Sequence, residues 1–175
     1  MPRSRQQIRK GLRYSIEKEK WLMQRFGLQF RESPDDPDPI PLIIDNLIRE
    51  ANEWCTMEKY EWALIEYEDA LSMLNHHPIK ELPIEAIYLL RAKCSLKMKN
   101  FQKIIQDCTL VLNSDKDWNL PFTPECCQLK AIAHLQLGQK DLATATTERI
   151  PKHSQLPEAF LESMKRVQDE CRDEG

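Results

Sequence analysis

Between residues 44 and 74 the apolar and small side chains fall at Leu47, Ala51 and Trp54, then at Tyr60, Ala63, Tyr67, Ala70 and Leu71. Steps of three and four place each set on one face of a helix. Met57 to Lys59 interrupts the rhythm once, which suffices for a tight turn between two antiparallel helices. Ala51, Ala63 and Ala70 stand where two helix axes come close, and Trp54, Tyr60 and Tyr67 fill the space they leave. Such a hairpin cannot cover its apolar face alone, so further copies are expected.

The interval from Ala51 to Ala63 recurs from Ala92 to Ile104 and from Ala131 to Ala143. Tyr60 then corresponds to Phe101 and Tyr67 to Cys108, while Gly138 sits at the turn of the third copy. This pattern closely resembles the tetratricopeptide (TPR) repeat. The first copy carries nearly the whole signature in Leu47, Ala51, Trp54, Tyr60, Ala63, Tyr67 and Ala70. The second and third are degenerate. The resemblance covers about residues 42 to 150 and implies an all-α, right-handed superhelix of three antiparallel helix pairs. The alanines Ala51, Ala92 and Ala131 are 41 and 39 residues apart against a usual period of about 34. Both junctions between copies therefore carry insertions.

The remaining segments bound that array. Residues 1–31 read as an N-terminal helix, running from about residue 3, with a stripe of Ile8, Leu12, Ile16, Met23, Phe26 and Phe30. Its basic residues suit a cap on the first repeat, a partner helix or, last, a nucleic-acid contact. Residues 32–41, ESPDDPDPIP, hold four prolines and three aspartates and form a stiff linker. The three helix pairs occupy 42–154, with Asp45 expected in the first helical turn. Pro151 cuts the last pair short, and 155–175 supply a capping helix striped by Phe160, Met164, Val167 and Cys171, with a tail.

Composition narrows the function. The 175 residues carry a net charge of −3, so bulk charge does not recruit polyanions. No apolar run is long enough to cross a bilayer, and no membrane contact is expected. The six cysteines show no zinc-site spacing and read as reduced, small apolar fillers, which fits a cytoplasmic or nuclear protein. His76 and His77 in the first junction read as solvent-facing, and His134 as helix surface or a satisfied core residue. Trp118 and Phe122 in the second junction are expected to tuck against neighbouring helices. No phosphate loop, nucleophile elbow or metalloprotease motif occurs, so neither catalysis nor a cofactor is expected.

The TPR resemblance also implies where a ligand lies. The first helix of each pair lines a concave groove, on which Asp45, Ile48, Arg49, Asn52, Cys55 and Thr56 fall in the first copy. Ala86, Leu89, Leu90, Lys93, Leu96 and Lys97 follow in the second, then Glu125, Gln128, Leu129, Ile132, Leu135 and Gln136. Co-chaperones of cytosolic heat-shock proteins grip a C-terminal carboxylate pair there with two lysines, two asparagines and an arginine. Here only Asn52 stands in its place. Ile48, Leu90, Glu125 and Leu129 replace the rest, and the glutamate would repel such a tail. An apolar floor of Ile48, Leu90 and Leu129, bordered by Asn52, Lys93, Lys97 and Gln128, suits an amphipathic helix or an extended peptide with apolar anchors. The expected role is thus a protein-binding adaptor or scaffold. Self-association, tail-binding co-chaperone activity and RNA association through the basic helix are the rivals. A further alternative is that the chain's own N-terminal helix fills the groove.

Overall fold

The helical periodicity of the sequence is carried through into the fold. The computed structural model describes residues 16–29, 37–79, 82–115, 120–149, 162, 164–167 and 169. Every regular element among the described residues is a helix. Residues 16–25 form α1, and the three hairpins follow. The first is α2 (Ile40–Thr56) with α3 (Tyr60–His76), the second α4 (Ile84–Lys97) with α5 (Phe101–Ser114). The third is α6 (Thr123–Gln136) with α7 (Lys140–Glu148). Each helix packs on its sequence neighbour from α2 to α7, and α4 also touches α6. Residues 162, 164–167 and 169 are also helical and set the buried Met164 and Val167 against Ala131, Ile132 and Leu135.

The turns inside the hairpins repeat one device. Glu58, Lys99 and Gly138 each lie seven residues after Ala51, Ala92 and Ala131, and each has a left-handed backbone, with φ of 59°, 56° and 70°. A left-handed residue just past a helix end lets following amides satisfy the last carbonyls. Here Lys59, Asn100 and Gln139 donate to Trp54, Ser95 and His134. Only the third copy uses glycine, which adopts this conformation without a Cβ clash.

The core follows the small-residue pattern. Ala51, Ala63 and Ala70 are fully buried with Ile43, Ile44, Leu47 and Tyr67. In the second hairpin Ile104 and Cys108 take the places of Ala63 and Tyr67, so bulk is exchanged between neighbouring turns while both positions stay buried. Phe122 packs against that second cluster, as expected of a tucked loop aromatic. Trp118 lies outside the described residues. His134 is a satisfied core residue, its Nδ1–H donating to Gln139 Oε1 at 2.8 Å.

The ends depart from the sequence expectation in several places. Within the described part α1 stops at residue 25, and Gly27 with φ 66° turns the chain, so the helix does not reach 31. Residues 3–15 and 30–36 of the expected helix and linker lie outside the described residues. Met23 is buried and Phe26 packs on the first cluster, as the expected stripe requires, and Leu22 joins them, whereas Ile16 is exposed, so α1 docks through Leu22, Met23 and Phe26. The cause is electrostatic as well as apolar. Lys18 pairs with Asp69, and Arg25 pairs with Glu50 and with Glu66, at 2.8 Å from its Oε1. Those partners lie on α2 and α3 and fix the rotation of α1. His77 faces solvent, as expected, with its side chain 40% exposed, and also meets Glu19 at 2.8 Å. At the other end of the linker, α2 begins at Ile40, whose N–H donates to Asp38 Oδ1. Asp45 therefore lies beyond the first turn.

One buried ion knot ties three helices. Arg91 of α4 donates from Nε and Nη2 to the Asp107 carboxylate of α5 at 2.9 and 2.7 Å, and from Nη1 to Glu68 of α3 at 3.3 Å. Asp107 is 1% exposed, so its charge has almost no water to fall back on. Arg91→Ala is expected to cost about 3–5 kcal/mol, read from urea unfolding, because the buried carboxylate loses its partner. Lys93→Ala, two residues along and exposed, is expected to stay within about 0.5 kcal/mol. Arg25→Ala is expected to cost roughly 1–3 kcal/mol. It should also speed tryptic cleavage within residues 16–29, since the tie from α1 to Glu66 is lost.

Candidate functional site

The groove that the TPR resemblance implies would run over α2, α4 and α6. One returning helix separates each of these three from the next, so the three run in the same direction. On α2 a shallow depression is lined by Asp45, Ile48, Arg49, Asn52, Glu53 and Thr56. Steps of three and four put these residues on one face. Glu50, which holds Arg25 of α1, lies about 200° around the helix from both Ile48 and Asn52. The described part of the N-terminal helix thus packs on the side of α2 away from the groove and does not fill it. Its Lys18 and Arg25 are spent on acids of the first hairpin rather than presented outward.

The expected site residues take distinct places. Asn52, Lys93 and Lys97 are exposed, while Ile48, Leu90 and Gln128 are half-buried. Leu129, at 7% exposure, belongs to the second core cluster with Leu89, Ala92 and Cys126, so it contributes little surface to the floor. Leu96 packs on the same cluster, Cys55 on the first, and Ile132 and Leu135 on Met164 and Val167. Packing within the hairpins and against Met164 and Val167 consumes these positions. What faces outward is a narrower strip: Ile48 and Asn52 on α2, Leu90, Lys93 and Lys97 on α4, Glu125 and Gln128 on α6.

Electrostatically the strip is largely self-neutralised. Lys93 Nζ lies 2.9 Å from Glu125 Oε2, bridging α4 and α6. Arg49 lies 3.8 Å from Glu53 and donates to Asn46 Oδ1 at 2.9 Å. Asn52 is oriented from below: Tyr67 Oη donates to its Oδ1 at 2.7 Å, which leaves the amide N–H2 to face the groove. Burial, and then the neighbouring Cys55, push the Tyr67 phenol well above its ordinary value, so it acts as a donor at any physiological pH. Burial, and then the neighbouring Cys55, likewise push the Cys94 thiol up to about 12, and the thiol donates to the Tyr60 carbonyl at 3.3 Å. A thiol so raised is a poor nucleophile, consistent with a packing role. Among the described residues no three histidine, cysteine or carboxylate side chains converge to hold a metal. No helix of the described residues is long and apolar enough to cross a membrane.

One contact of the site has no local signal in the sequence. Tyr67 reads in the sequence as core filler, and its hydroxyl contact spans fifteen residues with no local signal. The Lys93–Glu125 bridge did have one, since both residues fall on the groove face with opposite charge.

No family model matches the chain, and no curated protein matches it. Solved structures do. The Arabidopsis OM64 TPR domain superposes with a TM-score of 0.54 at 17% identity, over 75% of this chain and 96% of that one. The Hsp90 co-chaperone Cns1 from Saccharomyces cerevisiae superposes with a TM-score of 0.61 at 20% identity, over 77% of this chain. The match spans 41% of the Cns1 chain. The likeness is one of architecture: this all-helical chain has the fold of TPR domains.

Proposed function

We propose that the chain is a non-catalytic protein-interaction module that takes a segment of a partner protein across α2, α4 and α6. The observation that carries this reading is the groove itself. It holds half-buried Ile48 and Leu90 at the edge of the first core cluster, orients the Asn52 amide through Tyr67, and pairs Lys93 with Glu125 inside the protein. Apolar side chains held among fixed polar ones select a peptide by its anchors. The likeness to the OM64 TPR domain and to Cns1 supports an interaction role for the fold.

The co-chaperone description of Cns1, together with Asn52, favours a second reading in which the groove grips the acidic C-terminal tail of a heat-shock protein. The chemistry of the strip opposes it. A carboxylate brought to this face meets Ile48 and Leu90, and reaches Lys93 only by displacing Glu125. Desolvating that charge would go uncompensated.

A photo-crosslinking residue placed at position 52 is expected to capture a partner from cell lysate, and one at Glu61 on the opposite hairpin helix is not. Ile48→Asp should abolish capture at position 52 while leaving the thermal melt within a few degrees of wild type. Undiminished capture by that variant would remove the groove from the function. A synthetic peptide ending in two acidic residues is expected to show no saturable binding at concentrations up to about 100 μM, and micromolar binding lost in Asn52→Ala would establish the tail-binding reading instead.

A further inference from the structure

Two cations on the back of α6 have no acid to answer them. Lys130 lies about 200° around α6 from Gln128, so it faces away from the groove. It stands about 40° round from Cys126 and about 60° the other way from Cys127. Cys126 packs in the cluster that holds Cys108 of α5, and Cys127 donates to the Thr146 carbonyl of α7 at 3.3 Å. The helices α5 and α7 both pack on α6 and make no comparable contact with each other. Half-buried Lys130 therefore floors the furrow between them. A helical side chain leans toward the N-terminus of its helix, which carries the amine back to the level of Cys127. Arg149, just past the end of α7, crosses the same furrow and donates from Nη2 to the Leu112 carbonyl of α5 at 3.2 Å. Neither cation has a carboxylate partner among the described residues. The acids of these elements are placed elsewhere: Asp107 is held by Arg91, Glu125 by Lys93, and Asp115 by Thr123 and the Leu120 amide. Asp141 stands in the first turn of α7, at the other end from Arg149, and exposed Glu148 lies about 100° round from Arg149. Burial, and then Arg149, hold the Lys130 amine below its ordinary pKa, as like charges do when no anion separates them.

We propose that the furrow between α5 and α7 binds one phosphate group, free or carried on a phosphorylated side chain, between Lys130 and Arg149. Two cations call for a dianion. A phosphate group carries about −1.5 to −2 at neutral pH, whereas a carboxylate carries a single charge and leaves one cation unanswered. The donors also approach from two helices, an ammonium from the floor and a guanidinium from the flank. A tetrahedral group turns oxygens toward both, and the guanidinium spares donors beyond the one given to Leu112. Half-burial of Lys130 weakens the screening that makes a surface ion pair nearly worthless. Binding removes the repulsion between the two cations and ties α5, α6 and α7 together. Since Lys130 faces away from the groove, this site and a groove occupant do not compete.

Thermal melts of the full chain in sodium phosphate and in sodium chloride of equal ionic strength test this. Phosphate at about 20 mM is expected to raise the midpoint by about 3 °C over chloride. Lys130→Gln and Arg149→Gln should each lose about two thirds of that shift or more, with circular dichroism showing that they keep their helices. Ile48→Asp, on the groove, should keep all of it. A fluorescent pentapeptide with a central phosphoserine, compared with its unphosphorylated twin by anisotropy, tells the two phosphate sources apart. Binding about tenfold tighter than the twin, lost in Lys130→Gln, assigns the site to modified side chains. A thermal shift with no peptide preference assigns it to free phosphate. Equal shifts in wild type and both glutamine variants would mark a general salt effect and overturn the site, as would the absence of both a shift and a peptide preference in wild type. Neither result bears on the groove.

Discussion

The structure depends on how closely the two helices of a hairpin approach. Ala51, Ala63, Ala92, Ala131 and Ala143 are all fully buried at the places where paired helices meet. Without side chains beyond Cβ there, the axes come near enough for Tyr67, Leu47 and Ile43 to pack from the flanks. The second hairpin shows that the constraint is on volume and not identity. Ile104 enlarges the contact and Cys108 shrinks its neighbour, and both remain fully buried. In the third, Ala143 is followed one turn later by Thr147, and the contact is supplemented by Cys127, whose thiol donates to the Thr146 carbonyl at 3.3 Å.

Close apolar packing leaves few places for charge, and the charges found there act as ties between elements. Arg91 joins α3, α4 and α5 through Glu68 and Asp107, with the Tyr88 ring 5.5 Å from its guanidinium. Arg25 is held by Glu66 first and by Glu50, which raises its already high pKa and locks α1 to the first hairpin. Both are arginines, whose planar fork satisfies two carboxylate oxygens at once where a lysine would satisfy one. The N-terminal helix thereby covers an apolar face that a preceding repeat would otherwise cover.

The same economy shapes the groove. Packing within the hairpins draws Leu89, Leu96 and Leu129 into the second core cluster and leaves Ile48 and Leu90 as the half-exposed apolar surface. Pairing of Lys93 with Glu125 withdraws the central cation. A face of this kind distinguishes partners by where their apolar anchors and flanking charges fall, since no concentrated charge is present to attract any single acidic group.

The alternation of small and bulky residues at steps of three and four was enough to determine that the chain is helical, where its hairpins turn, and that three pairs stack. These are local consequences of the 3.6-residue helical period, and every copy states them again. Spacing also fixes which residues share a helix face, while the choice of the face carrying Ile48 and Asn52 as the ligand side came from the TPR resemblance. Tertiary structure decided the rest. Which groove residues remain exposed depends on how far neighbouring helices overlap, and that is why Leu129 is buried while Lys97 is not. The docked face of α1, the partner of His77 and the support that Tyr67 gives Asn52 are contacts between residues distant in the chain. They are set by the packing of whole elements, for which no local pattern exists.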